Sequence, residues 1–294
     1  MGEVMSFGTA LMAGLLSTLA PEQGEAGSAS ATKPCQNPLA IPAPLLEKDP
    51  RFVVVGEIHG TDTSPEAFGD IVCAMLQTRK VLVQLELPAQ FGESINAYVQ
   101  SGDKAALAEV LDSWLFESKR YDGRGSAAFV ALIERMRQMK SDGFDLAVVG
   151  AQPNWITIEP QYYYELGMAH LWSRNAAQFP KALNMILVGS YHAKNATGDG
   201  RRSAASFLRK EDRITLAPCD EGGTASVLQR DGPTIMELDD TAKGTARGVY
   251  AQPSGEDGNS KLTDYAPGTF DAFFCAGRPA TASPRAVPAK ETTQ

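Results

Sequence analysis

The sequence predicts an α/β fold: a mostly parallel sheet with helices on both faces, carrying a helical insertion. Three observations predict it. Short apolar runs, several closing on glycine, alternate with helix-period segments through the middle of the chain. The runs are rich in Val, Ile and Leu without polar alternation, as expected of strands buried on both faces. The 294 residues are 43% hydrophobic, enough for one large core and too apolar for a disordered chain.

The elements follow in order. Residues 52–55 form the first strand, ended by Gly56. Ser64-Pro65-Glu66 then supplies an N-cap, a first-turn proline and an acid at the positive end of the helix dipole. A helix over 65–78 results, with Phe68, Ile71, Val72 and Met75 on one face. Residues 80–87 are the second strand, and helices cover 91–99, 104–117 and 126–140. The stretch 88–140 is thus a helical insertion within a single domain spanning 32–277. A strand over 145–149 closes on Gly150, a helix covers 161–177, and a strand over 184–188 closes on Gly189. Further strands lie at 213–216 and 270–274, with a surface excursion at 244–264, dense in Gly, Ser and Asp. Residues 278–294, rich in Pro, Ala and Thr without apolar period, read as a disordered tail.

Residues 1–31 hold an apolar stretch over 5–20 and a Gly/Ser/Ala-rich segment ending Ala29-Ser30-Ala31. That is the apolar core and small-residue cleavage site of a secretory signal, without its basic start. A secreted or periplasmic protein is expected; a disordered leader or a wrongly chosen start codon is the alternative. No apolar run of membrane-spanning length lies beyond it, so no stable membrane span is expected after its removal. Four cysteines, none within three residues of another, argue against a zinc knuckle or CxxC site. Three disulfide pairings are possible; Cys35–Cys73 with Cys219–Cys275 is preferred, because each ties a terminal segment to the core, and buried free thiols are the alternative. With 35 Asp+Glu against 27 Lys+Arg, the net charge of −8 speaks against nucleic acid as a partner.

In an open parallel sheet, ligands bind beyond the carboxyl ends of the strands. Those ends carry Glu57 and His59, then Glu86, then Gln152, then Ser190, Tyr191 and His192, and later Asp220 and Glu221. Two of only three histidines fall at this rim. Glu57 and His59, two residues apart, point the same way on an extended backbone. Glu86, ending an apolar strand, needs a partner or a raised pKa. Two imidazoles and two carboxylates can serve as acid–base machinery, with an imidazole near its neutral pKa activating water, or as ligands for a divalent metal from His59, Glu86 and His192. The plainer alternative is a helix-capping Glu57 and two hydrogen-bonded loop histidines. His170, mid-helix among apolar residues, reads as a satisfied structural histidine, and one or two of Tyr162, Tyr163 and Tyr164 as core residues, with a tyrosinate ligand to haem iron as the sharper option. Arg124, in the stretch Asp122-Gly123-Arg124-Gly125, is either part of a plain surface turn or faces a carboxylate or phosphate. There is no GxSxG elbow, Walker A loop or HExxH motif.

At Val53-Val54-Val55-Gly56-Glu57-Ile58-His59-Gly60-Thr61, Leu85-Glu86-Leu87-Pro88 and Leu187-Val188-Gly189-Ser190-Tyr191-His192, the chain resembles the superfamily that joins erythromycin esterases, ChaN-like haem-binding uptake proteins and Tiki-type proteases. The resemblance covers roughly residues 51–195. It implies an α/β fold of the erythromycin esterase/ChaN-like kind with its site at the strand ends, and it matches Glu57, His59, Glu86 and His192 to the site positions. Esterases usually place two residues between the glutamate and histidine; here only Ile58 intervenes, as in ChaN-like proteins, while Gly60-Thr61 follows as in esterases. The resulting expectation is an exported hydrolase of an ester, lactone or amide in a small-molecule or peptide substrate. His59 would be the general base on water, Glu57 and Glu86 would orient it, and His192 would bind substrate, act as the acid or ligate a metal. Gln152, Ser190, Tyr191 and Arg124 would contact substrate. A haem- or metal-binding uptake protein and a non-catalytic relative are the alternatives.

Overall fold

The computed structural model describes residues 35–116, 121–154, 161–197, 200–252 and 262–286; the expected leader at 1–31 lies outside them. The strands are β1 (Phe52–Glu57), β2 (Val81–Pro88), β3 (Leu146–Gln152), β4 (Leu183–Gly189), β5 (Arg213–Pro218), β6 (Gly223–Gln229), β7 (Gly232–Leu238), β8 (Gly248–Ala251) and β9 (Ala272–Cys275). Seven of them form one sheet in the order β3-β2-β4-β1-β5-β9-β8. Every pairing in it is parallel except that of β8 with β9. After β1 the chain crosses to β2 and leaves a vacant slot between them, which β4 later fills. The reversal of winding opens a crevice at the carboxyl ends of β1, β4 and β2.

The side-chain alternation of these strands feeds two apolar layers. Val53, Val55, Val83, Leu85 and Leu187 pack with Phe68, Ile71, Ile95, Phe129 and Ile133 on one face. The helices there are α1 (Ala43–Leu46), α2 (Thr63–Leu76), α3 (Gly92–Ser101), α4 (Lys104–Leu111) and α5 (Ala127–Ser141). Phe52, Val54, Ile186 and Val188 pack on the other face against Met168, Trp172 and Ala204. That layer belongs to α6 (Gln161–Gln178), α7 (Ser190–Ala193) and α8 (Ala204–Phe207). Each fully buried side chain of the size of Phe68 stabilises the fold by about 1.5–3 kcal/mol. The mostly parallel α/β sheet covered on both faces is thus as the sequence predicts.

One patch of the second layer is polar. Gln84, fully buried in the middle of β2, donates to Asn184 Oδ1 at 3.1 Å and accepts from Asn175 Nδ2 at 3.0 Å. Asn175 also donates to the Gly150 carbonyl at 3.1 Å, and the Trp172 indole to that of Ala151 at 2.8 Å. These directional bonds set the position of α6 on the sheet, and α6 carries site residues.

Several boundaries differ from expectation. Helix α2 starts at Thr63 rather than after a Ser64 cap, and Asp62 at the cap position makes no capping bond. Its carboxylate instead accepts from Arg278 Nη1 (2.9 Å) and the Thr281 N–H (2.7 Å). The helix expected over 104–117 ends at Leu111 and resumes as a single 3₁₀ turn, Trp114–Phe116. The expected surface excursion at 244–264 contributes β8 to the sheet edge, while residues 253–261 lie outside the described ones. An additional hairpin, β6–β7, turns at Arg230-Asp231, and the Asp231-Gly232 pair is its sequence sign. The tail expected to be disordered from Arg278 is held as far as residue 286. Arg278 Nη2 meets Glu66 at 2.6 Å, Thr224 accepts from the Ala282 N–H, and Tyr121 donates to the Ser283 carbonyl at 2.6 Å. Composition hid these contacts because they are made through backbone groups and a single ion pair rather than through an apolar pattern. Both preferred disulfides form, with Cα–Cα distances of 5.6 Å for Cys35–Cys73 and 5.0 Å for Cys219–Cys275.

Candidate active site

The four sequence-predicted polar residues converge. β1 ends in Glu57, buried, whose Oε1 lies 2.9 Å from His59 Nδ1. That bond commits Nδ1 and turns Nε2 toward the crevice, where it sits 3.5 Å from Glu86 Oε2 on β2. β4 runs between these strands, pairing Glu57 with Gly189. The Gly189 N–H donates to Glu86 Oε2 at 2.6 Å. A β-carbon at Gly189 would stand 3.0 Å from His59 Nε2, so glycine is needed here for space. Gly60, just after the histidine, has φ +75° and leaves no room for a side chain against the Ser226 carbonyl, which holds the loop's shape.

From the other side, α7 brings His192. Its Nε2 lies 3.7 Å from Glu86 Oε1, and its Nδ1 is 2.9 Å from both oxygens of Glu165 on α6. Glu165 is wholly buried and also accepts from the Ala204 N–H at 2.8 Å and Gln161 Nε2 at 2.6 Å. The arrangement is a chain of alternating groups: Glu57, His59, Glu86, His192, Glu165. Arg124 closes its third side, with Nη1 3.4 Å from Glu86 Oε1 and 2.7 Å from Gln152 Oε1, and with Asp122 on its other nitrogens. Ser190 Oγ donates to the Glu57 carbonyl at 3.1 Å, which places it as a brace, and the Tyr191 ring lies 5.8 Å from that of His192.

The electrostatics follow from this crowding. Burial alone would lower the His59 pKa, but Glu86 and Glu57 outweigh it and raise it to about 9. His192 behaves alike: burial lowers its pKa, Glu86 and Glu165 overcome that, and the net shift is upward. Burial would raise Glu86, yet His59, His192, Arg124 and the Gly189 N–H hold it below the usual range. At neutral pH the resting site therefore carries imidazolium rather than the near-neutral imidazole expected from sequence.

The metal set expected from His59, Glu86 and His192 does not fit this geometry. Among the described residues, no group of three or more His, Cys, Asp and Glu is placed to hold an ion. Both Nε2 atoms face a carboxylate that Arg124 and the Gly189 N–H already serve, and a nearby guanidinium opposes a further cation.

Two neighbours were missed by sequence reading. Glu165 falls three and seven residues before Met168 and Trp172, on the buried stripe of α6, and a carboxylate in such a stripe is the signal that should have found it. Asp122 lies in a loop and gave no signal beyond its nearness to Arg124. Of the three tyrosines, Tyr164 packs against the core as expected and is half-buried in the site, its ring 5.9 Å from that of His192; burial and Glu86 raise its pKa. Tyr162 and Tyr163 are exposed rather than core. His170 is also exposed, because the buried stripe of α6 runs through Glu165, Met168, Trp172 and Asn175, on the far side of the helix from it. Asp220 and Glu221 line a separate cavity of about 380 Å³ next to Ile58 and Thr61. Glu221 there accepts from the Ala276 and Gly277 N–H groups, a structural use.

No family profile and no curated protein matches the sequence. Solved structures do match in fold. A mutant of the erythromycin esterase EreC in its open conformation superimposes with TM-score 0.60 at 11% identity, over 83% of this chain and 93% of that one. A Bacillus cereus protein matches with TM-score 0.53 at 10% identity, over 83% and 92%. A succinoglycan biosynthesis protein matches with TM-score 0.51 at 11% identity, over 82% and 91%. The chain therefore has the fold of the erythromycin esterase EreC, as the resemblance implied; at these identities the likeness concerns fold alone.

Proposed function

We propose that the protein is an exported hydrolase that activates water against an ester, lactone or amide. The observation that carries this reading is the two-sided chain centred on Glu86, in which each histidine has one nitrogen committed to a buried carboxylate and the other turned to the crevice. With Nδ1–H donated to Glu57, the neutral form of His59 presents a lone pair at Nε2, the tautomer a general base needs. Water would give its proton to that nitrogen as its oxygen adds to the carbonyl carbon. The tetrahedral oxyanion would be met by Arg124 and the Tyr164 hydroxyl. Collapse would break the bond to the leaving oxygen or nitrogen, which takes a proton from the His192 imidazolium. Water and ester are thus converted to acid and alcohol, and the proton held by His59 returns to His192 through solvent. Glu57 and Glu165 are positioning groups, and Glu86 is the shared counter-charge. The two disulfides support a site of action in an oxidising compartment. No helix among the described residues is long and apolar enough to cross a membrane. A panel of chromogenic esters is the test: turnover should be lost in both His59→Ala and Glu86→Gln, and turnover that survives both substitutions removes the mechanism.

A second reading, haem binding, is favoured by a different observation. A groove of about 750 Å³ is lined by Tyr163, Leu166, His170, Leu171, Arg174 and Pro153. Tyr163 or His170 would hold a haem iron there and Arg174 would face a propionate, and the haem would supply redox or carrier chemistry. Hemin titration separates the readings: a Soret band abolished by Tyr163→Phe or His170→Ala supports binding, and its absence leaves the hydrolase.

A further inference from the structure

Two residues beyond His192 stands Lys194, half-buried beside the catalytic crevice. Its ammonium lies 5.6 Å from the centre of the Tyr191 ring and 5.2 Å from that of Tyr265. Both rings are held from behind. Tyr265 packs edge-on against Phe270 at 4.9 Å, and Tyr191 packs edge-on against His192 at 5.8 Å. The Arg201 guanidinium lies 5.8 Å from the same Tyr191 ring. Two cations therefore gather on one aromatic side chain that abuts the imidazole proposed as the acid.

Aromatic faces attract an ammonium without neutralising it. Arg124, deeper in the site, is matched by Asp122, Glu86 and Gln152. Lys194, by contrast, makes no ion pair with a carboxylate among the described residues. Its strength of charge is preserved, its position is fixed by two rings, and one ring separates it from the reacting groups.

We infer that Lys194, framed by Tyr191 and Tyr265, anchors an anionic group of the substrate, so that the natural substrate is an acid-bearing ester, lactone or amide. This rests on the hydrolase reading and adds the substrate class to it. The anion would lie beyond Tyr191, on the acyl or the leaving side, while the scissile carbonyl sits at His59 and His192.

The test compares 4-nitrophenyl hydrogen glutarate with 4-nitrophenyl butyrate on the full chain. The wild-type ratio of kcat/KM should favour the anionic ester by roughly 10-fold or more, and added salt should erode that preference. Lys194→Met keeps an apolar stem between the rings and should bring the ratio close to one, while Lys194→Arg should retain most of it. A wild-type ratio near one, or a preference that survives Lys194→Met, overturns the inference. If neither ester is hydrolysed, the hydrolase reading fails separately, and calorimetric titration with glutarate decides the anion site. Saturable binding lost in Lys194→Met upholds it, and no binding, or equal binding by both proteins, overturns it.

Discussion

The two histidines of the site meet one carboxylate from opposite sides, yet they reach it by different routes. His59 and its orienting Glu57 are neighbours in one strand-end motif, and their contact needs only an extended backbone and a tight turn at Gly60. His192 takes its orienting carboxylate from α6, 27 residues away in sequence. That contact exists only because buried amides and an indole hold α6 to the sheet. His59 retains 24% side-chain exposure against 14% for His192. The more open, locally built half suits exchange of protons with water, and the enclosed half suits delivery of a proton to a bound leaving group. One half is written in consecutive residues; the other is a product of packing.

The largest effect should come from the shared element. Glu86→Gln keeps the shape and removes the charge facing both Nε2 atoms, so turnover should fall about 10³-fold or more, and the NMR titrations of both histidines should move to lower pH. A shift of one histidine alone would show that the halves are independent. Next comes the pH profile. With the His59 pKa raised to about 9, its base form is scarce at neutrality. The rate should climb about tenfold per pH unit from 7 and level off near 9, roughly a hundredfold in all. Glu57→Gln should move that limb to lower pH; a flat profile from 6 to 9 would remove His59 as the base. The same shift acts on stability with a definite sign. The group binds its proton more tightly folded than unfolded, so its contribution is complete below the ordinary value of 6.5 and disappears as pH rises through about 9. The Tm should therefore fall over that range, and fall less in His59→Ala.

Glu165→Gln tests the other half. Losing the orienting charge on His192 should lower kcat by roughly 10–100-fold while the limb near pH 9 stays in place, since His59 keeps both its carboxylates. Displacement of that limb would mean that the halves are coupled through more than Glu86. The smallest effect is expected furthest from the chemistry. Gln84→Leu leaves the Asn184 Oδ1 without its donor and takes one of two acceptors from the Asn175 amide, which should cost about 1–3 kcal/mol in urea unfolding and slow turnover only a few-fold, through a loosened α6. Unaltered stability would show that the amide network does not anchor the helix.

The legible part of the site was the part whose geometry is local. Glu57 and His59 could be paired from their spacing, and Glu86 and His192 from their positions at strand ends, because a parallel sheet aligns such ends at one rim. Arg124 was a candidate only as a cation in a loop; its contact with Glu86 depends on a chain path that the turn residues did not specify. Glu165 went unread although it sits in a clearly predicted helix. The helical period was recognised, but which stripe is buried was not, and the same error placed His170 inside. Composition likewise misled at residues 278–286, where backbone hydrogen bonds to α2 and β6 order a segment without apolar pattern.

By itself, the sequence determined the layered α/β architecture, the identity of the parallel strands and the rim on which the histidines lie, because hydrophobic periodicity and strand-closing glycines are properties of neighbouring residues. Only the tertiary structure decided the strand order that seats β4 between β1 and β2, the pairing of His192 with Glu165, and the upward pKa shift of both imidazoles. These depend on which distant groups share a buried volume. There, partners at 3–4 Å outweigh the cost of desolvation, and no run of consecutive residues contains that distance.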